Sequence, residues 1–133
     1  MKAALDSSVL IAAYISRAGV CAELLEDIFM HHQLVTSDYI LDEVARKLSE
    51  KFGFKPEMIA QLRESILAVA QCVEPADIPA DACRDPNDLP ILGTAVAAQA
   101  DVLITVDKDL LALRRFAGCS IVKPGEFWQL THG

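Results

Sequence analysis

Ala100-Asp101-Val102-Leu103-Ile104-Thr105-Val106-Asp107-Lys108-Asp109-Leu110-Leu111 is the segment on which the fold turns. Residues 102–106 are mostly apolar and mostly β-branched and stop at Asp107, which predicts a buried strand with a carboxylate at its carboxyl end. Asp107 or Asp109 then starts a helix expected to run through Arg115. The chain opens the same way, because the short apolar run 2–5 stops at Asp6. Further out, Ser120–Val122 predicts a last short strand, and Pro124-Gly125 a turn into a C-terminal tail.

The stretches between repeat the alternation. Residues 9–15 read as the start of a packed helix, and 22–31 carry Leu24, Leu25, Ile28 and Phe29 on one helical face. Gln33–Thr36 predicts a second strand. Ser37 can cap a helix from Asp38 to about Phe52, and Pro56 opens another that ends near Cys72. Val73 to Asn87 has loop composition, with Pro75, Pro79 and Pro86. Asn87 or Asp88 caps a further helix that has Pro90 in its first turn. Strands and helices alternating over short connections predict an α/β domain with a mainly parallel sheet. Ligand crevices in such sheets lie outside the carboxyl ends of the strands.

Length and composition agree. The 133 residues predict one domain, 1–133, and 53% hydrophobic residues exclude a disordered chain. A net charge of −7 excludes holding nucleic acid by bulk positive charge, but not through locally bound metal ions. Cys21, Cys72, Cys83 and Cys119 form no C-x-x-C pair and lie near no histidine, which predicts reduced thiols and no zinc site. Asp6, Ser7 and Ser8 interrupt the N-terminal apolar stretch, and the apolar region 91–106 is broken by Gly93, Thr94, Gln99, Asp101 and Thr105. No membrane segment is expected, and the predicted location is the cytoplasm.

Asp6, Asp85, Asp88, Asp107 and Asp109 stand at element boundaries, with Asp42 and Glu43 on the third helix. Two carboxylates about 5 Å apart repel by about 3 kcal/mol at an effective dielectric of 20. A convergent group therefore calls for a cation or retained protons. Mg²⁺ and Mn²⁺ suit all-oxygen ligands, and phosphodiester hydrolysis uses such sites. Each acid also has a local explanation: Asp88, Asp107 and Asp109 can cap helices, and Asp85 before Pro86 is a turn residue. Asp6 is harder to explain locally, because a carboxylate directly after a buried strand is costly unless used or bonded. Periodicity leaves Asp42 and Glu43 about equally far from the apolar face, so both remain open on pattern alone.

Four stretches resemble the motifs of PIN-domain nucleases. They are Asp6-Ser7-Ser8-Val9-Leu10, Ile40-Leu41-Asp42-Glu43-Val44, Cys83-Arg84-Asp85-Pro86-Asn87-Asp88 with Ile91-Leu92-Gly93-Thr94-Ala95, and Ala100 to Leu111. The similarity extends to Pro124-Gly125-Glu126-Phe127, and the chain resembles the bacterial toxins of PIN type, the VapC-like toxins. The resemblance implies a three-layer α/β/α sandwich that binds Mg²⁺ or Mn²⁺ and cuts single-stranded RNA. It places the acidic quartet on Asp6, Glu43, Asp88 and Asp107, with Asp6, Asp88 and Asp107 holding metal and Glu43 ligating or activating water. Ser7 and Thr105 fall where the family carries supporting hydroxyls, and Asp85 and Asp109 are additional acids behind the ligands. It also implies a cognate antitoxin that lays a peptide across the crevice, and a homodimer is compatible with the apolar helices. The sequence departs from the pattern at Ser8, where many relatives have Asn, at Asn87, where some have Asp, and at Pro90.

Arg17, Arg46, Lys47, Arg84, Lys108, Arg114 and Arg115 are candidates for phosphate contact, and Tyr14 and Tyr39 for stacking on bases. Phe127 and Trp128 are expected to pack on the body or at a dimer contact. An aspartyl-phosphate phosphatase wants an Asp at position 8, where Ser8 stands, and no P-loop motif is present. The competing reading from a different class is a low-turnover RNA- or protein-binding module on a nuclease fold.

Overall fold

The computed structural model describes residues 1–133. Its centre is β1 (Lys2–Leu5), where Ala3, Ala4 and Leu5 are fully buried. A strand buried on both faces needs no alternation, and small residues let layers approach closely from either side. β2 (Gln33–Thr36) pairs with one edge of β1 and β4 (Val102–Ile104) with the other, both parallel. The sheet has six strands in the order β3-β2-β1-β4-β6-β5, with β3 at Gln71–Cys72, β5 at Arg115–Phe116 and β6 at Cys119–Val122. Only β5 is antiparallel, as the partner of β6. The chain winds outward from β1 through β2 and β3, then restarts at β4 on the other side. The switch point therefore lies between β1 and β4, the position of a ligand crevice in sheets of this kind.

Helices flank the sheet and complete a three-layer α/β/α sandwich: α1 (Ser7–Ile15), α2 (Val20–His31), α3 (Asp38–Phe52), α4 (Pro56–Leu67), α5 (Leu89–Ala97), α6 (Lys108–Leu111) and α7 (Pro124–His132). The Ser37 hydroxyl caps α3 by accepting from the Ile40 N–H at 3.4 Å. Ile40, Leu41, Val44 and Leu48 give that helix its buried stripe. The helix ends at Gly53, whose φ of 66° is a left-handed conformation that glycine adopts without a Cβ penalty. No single helix is long and apolar enough to cross a membrane. The four cysteines are free thiols.

The structure departs from the sequence reading in five places. β4 ends at Ile104, two residues short of the expected Val106. α1 begins at Ser7, directly after Asp6, not near Val9. α4 stops at Leu67, and Gln71–Cys72 is an edge strand, held where the Val73 N–H reaches the Thr36 carbonyl at 3.0 Å. α6 stops at Leu111; Arg114 at φ 60° redirects the chain into the β5–β6 hairpin, which turns through Ala117 and Gly118 at φ 50° and 83°. The C-terminal tail is the helix α7, begun by Pro124 and by Glu126, whose carboxylate accepts from the Lys123 N–H at 3.1 Å. Phe127 of α7 is fully buried, so this segment packs on the body as one of the two sequence expectations had it.

The loop 73–85 crosses close above α5. A Cβ at Gly93 would lie 2.4 Å from the Ala76 carbonyl oxygen, and the Ala76 N–H donates to the Gly93 carbonyl at 2.9 Å. Gly93 thereby allows the loop to lie on the helix and end in the short 3₁₀ turn Pro86–Asp88 that presents Asp88.

Candidate active site

A cavity of about 430 Å³ opens at the carboxyl ends of β1 and β4, lined by Asp6, Ser7 and Ser8, by Glu43, Arg46 and Lys47 of α3, by Asp85, Asn87 and Asp88, and by Val106 and Asp107. All four carboxylates of the expected quartet reach it, from four separate elements.

Asp6 is fixed by backbone and side chain alike. Its N–H donates to the Ile104 carbonyl at 3.0 Å, which continues the β1–β4 ladder past the strand end. Its carboxylate, 5% exposed, accepts from Thr105 Oγ1 at 2.7 Å and Ser8 Oγ at 3.4 Å, with Ser7 Oγ 3.3 Å away. Burial raises the Asp6 pKa; the Thr105 hydrogen bond opposes this, and the charges of Glu43 and Asp107 add to it.

Glu43 and Asp42 are separated by their neighbours. The Ser7 hydroxyl donates to Glu43 Oε1, and Lys47 Nζ stands 3.8 Å from the same oxygen. Asp42 instead accepts from Arg63 of α4 at 2.8 Å, outside the cleft, with its side chain 71% exposed against 17% for Glu43.

Asp88 is buried, 6% exposed, and faces the Cys83 thiol at 3.9 Å. Burial and then the charges of Asp107, Asp6, Asp85 and Asp109 push its pKa up to about 7. Asp107 performs its capping role: Oδ1 accepts from the N–H groups of Asp109 at 2.7 Å and Leu110 at 3.2 Å. Its own N–H donates to Thr105 Oγ1 at 3.0 Å. Carboxylate oxygens of Asp88, Asp107 and Asp109 lie within 4.8 Å of one another. Asp109, read from sequence as an additional acid, thus stands with two of the expected ligands, whereas Asp85 lines the cavity and accepts from the Asn87 N–H at 3.0 Å.

Of the seven basic candidates, Arg46 and Lys47 alone line this cavity. Tyr14 lies elsewhere, in an apolar groove of about 470 Å³ that Arg17 also lines. Tyr39 stands behind the site, where its hydroxyl donates to the Asn87 carbonyl at 3.0 Å. Val106, read from sequence as an ordinary strand residue, is exposed on the lip of the cleft. β4 ends at Ile104, and Val106 follows in the short link that leads to Asp107.

The donor set fits a hard divalent cation. It consists of oxygens, and several carboxylates crowd one opening. Mg²⁺ and Mn²⁺ are the ions suited to such a set.

The sequence matches the PIN domain family over residues 2–109, so the chain belongs to that family. No curated protein matches it. Two solved structures share the fold. VapBC2 from Rickettsia felis, bound to a DNA fragment from its promoter, aligns with a TM-score of 0.61 and 17% identity, covering 91% of this chain and 97% of that one. VapBC-1 from nontypeable Haemophilus influenzae aligns with a TM-score of 0.62 and 20% identity, covering 94% and 99%.

Proposed function

We propose that this protein is a divalent-cation-dependent endoribonuclease that hydrolyses single-stranded RNA, and that it serves as the toxin of a toxin–antitoxin pair. The observation that carries the reading is the convergence of Asp6, Glu43, Asp88 and Asp107 on one cleft at the sheet's switch point, in a PIN domain chain. Likeness in fold to two VapBC structures supports the toxin role and a protein antitoxin as partner. The reading further takes residues 1–133 as a single cytoplasmic domain and allows a homodimer.

In this mechanism Asp6, Asp88 and Asp107 would hold Mg²⁺ or Mn²⁺, with Asp109 beside them. The cation would supply Lewis acidity to water and to the phosphodiester oxygens. Glu43 would orient the attacking water and accept its proton as the oxygen adds to phosphorus; the P–O bond to the outgoing strand end breaks, and its ribose oxygen takes a proton from solvent. The Ser7 hydroxyl gives its one proton to Glu43 and stands beside Asp6, so base and ligand share one neighbour. Thr105 bridges Asp6 and Asp107.

The test is incubation of purified protein with single-stranded RNA in Mn²⁺ and in EDTA. Cleavage confined to the Mn²⁺ sample is expected. RNA binding with no cation-dependent cleavage would replace the nuclease with the binding-module reading.

A further inference from the structure

The cleft brings five carboxylates (Asp6, Glu43, Asp85, Asp88, Asp107) against two cationic side chains, and both cations come from one turn of α3. Arg46 and Lys47 follow Glu43 by three and four residues, which puts all three on adjoining rows of that helix. Lys47 is mostly covered, and its Nζ stands 3.8 Å from Glu43 Oε1. That is well beyond the roughly 2.7–2.9 Å of a charge-assisted hydrogen bond, so the ammonium donors remain available to a ligand. Arg46 is more open and reaches Glu50 at 3.5 Å.

Arg84, Lys108 and Arg114 do not line the cleft. Arg17 lines the apolar groove, and Arg115 donates to the Ser120 hydroxyl and the Gly118 carbonyl of its hairpin. A chain with net charge −7 attracts no polyanion from a distance, so a nucleic-acid phosphate must be met locally. A lysine ammonium on a flexible stem suits that contact as a point charge.

The geometry points to Lys47, flanked by Arg46, as the seat of a backbone phosphate of the bound RNA strand, which then lies along α3 beside the carboxylates. This rests on the nuclease reading of the cleft. Lys47 is here a substrate-positioning residue: it holds the strand, while Glu43 and the aspartates act at the cut.

The experiment compares wild type, Lys47→Gln and Lys47→Arg on a short labelled single-stranded RNA. Binding is read by anisotropy in Ca²⁺ and cleavage in Mn²⁺, each over a range of salt. For Lys47→Gln, Kd and KM are expected to rise about tenfold with kcat within threefold. The slope of log affinity against log salt should shrink by about 0.7, the value for one lost phosphate contact on a single strand. Lys47→Arg should retain most of the binding. If wild type cleaves while Lys47→Gln keeps its Kd, KM and salt slope, this proposal is overturned and the nuclease reading stands. A loss in kcat alone also overturns it, since Lys47 would then act on Glu43. If wild type does not cleave in Mn²⁺, the nuclease reading falls and takes the proposal with it.

Discussion

Thr105 Oγ1 donates to Asp6 Oδ2 at 2.7 Å and accepts from the Asp107 N–H at 3.0 Å, so one hydroxyl ties together the acids that follow two neighbouring strands. Thr105 is fully buried, and its hydrogen bond opposes the burial and charge that raise the Asp6 pKa. Thr105→Val keeps the shape and removes both bonds. It should weaken Mn²⁺ affinity by about 10–100-fold, as loss of a supporting contact to a ligand does. It should also cost about 1–3 kcal/mol of stability, since the Asp107 N–H loses its partner. Calorimetric Mn²⁺ titration and urea unfolding check the two effects separately.

Asp107 has a folding role and a chemical role that substitution can separate. Its Oδ1 caps α6, and its carboxylate belongs to the acidic group with Asp88 and Asp109. Asparagine caps helices about as well as aspartate, whereas alanine forfeits about 1 kcal/mol. Asp107→Asn should therefore stay near wild-type stability and Asp107→Ala fall below it. Both should lose at least about 100-fold in RNA cleavage, measured in Mn²⁺.

The Asp88 carboxyl, with its pKa near 7 in the fold, makes the cation-free protein sensitive to pH. A folded pKa above the unfolded value means the folded state binds the proton more tightly. The resulting stabilisation is complete below about pH 4 and is lost as pH rises through 7. Asp6 shifts in the same direction. Asp88→Asn removes the Asp88 part. In EDTA at pH 8 this variant should be more stable than wild type by roughly 1–2 kcal/mol, allowing for solvent screening in the open cleft. At pH 4 that advantage should vanish. Melting temperatures of both proteins at the two pH values give the answer.

Gly93 tests the link between the loop and α5. A methyl group there would meet the Ala76 carbonyl oxygen at 2.4 Å, a backbone atom that cannot swing away. Gly93→Ala should destabilise by about 1–3 kcal/mol despite the higher helix propensity of alanine. A variant as stable as wild type would show that the loop gives way freely.

What the sequence made legible was whatever one segment decides alone. The strands 2–5 and 33–36 announce themselves by apolar runs, as does β4, read over 102–106 and found over 102–104, and Ser37 by its capping position. β3 and β5, with two residues each, exist because a neighbouring strand offers hydrogen bonds at a sheet edge, which no local pattern records. For α7 the signals were present in Pro124 and Glu126, but Pro-Gly reads more strongly as a turn. Glu43 and Asp42 sit almost symmetrically about the apolar stripe of α3. Arg63 on one flank and Ser7 on the other distinguish them, and both come from other elements. The quartet was legible only through the motif resemblance. Its meeting place follows from strand order, which puts β1 between β2 and β4.

That these carboxylates share a divalent cation is tested most directly by titrating Mn²⁺ into the purified protein in a calorimeter, with Asp107→Asn as the comparison because it preserves the α6 cap. Saturable binding to wild type, weakened at least about 100-fold in the variant, is the predicted result. Equal binding to both proteins, or none to either, would contradict it.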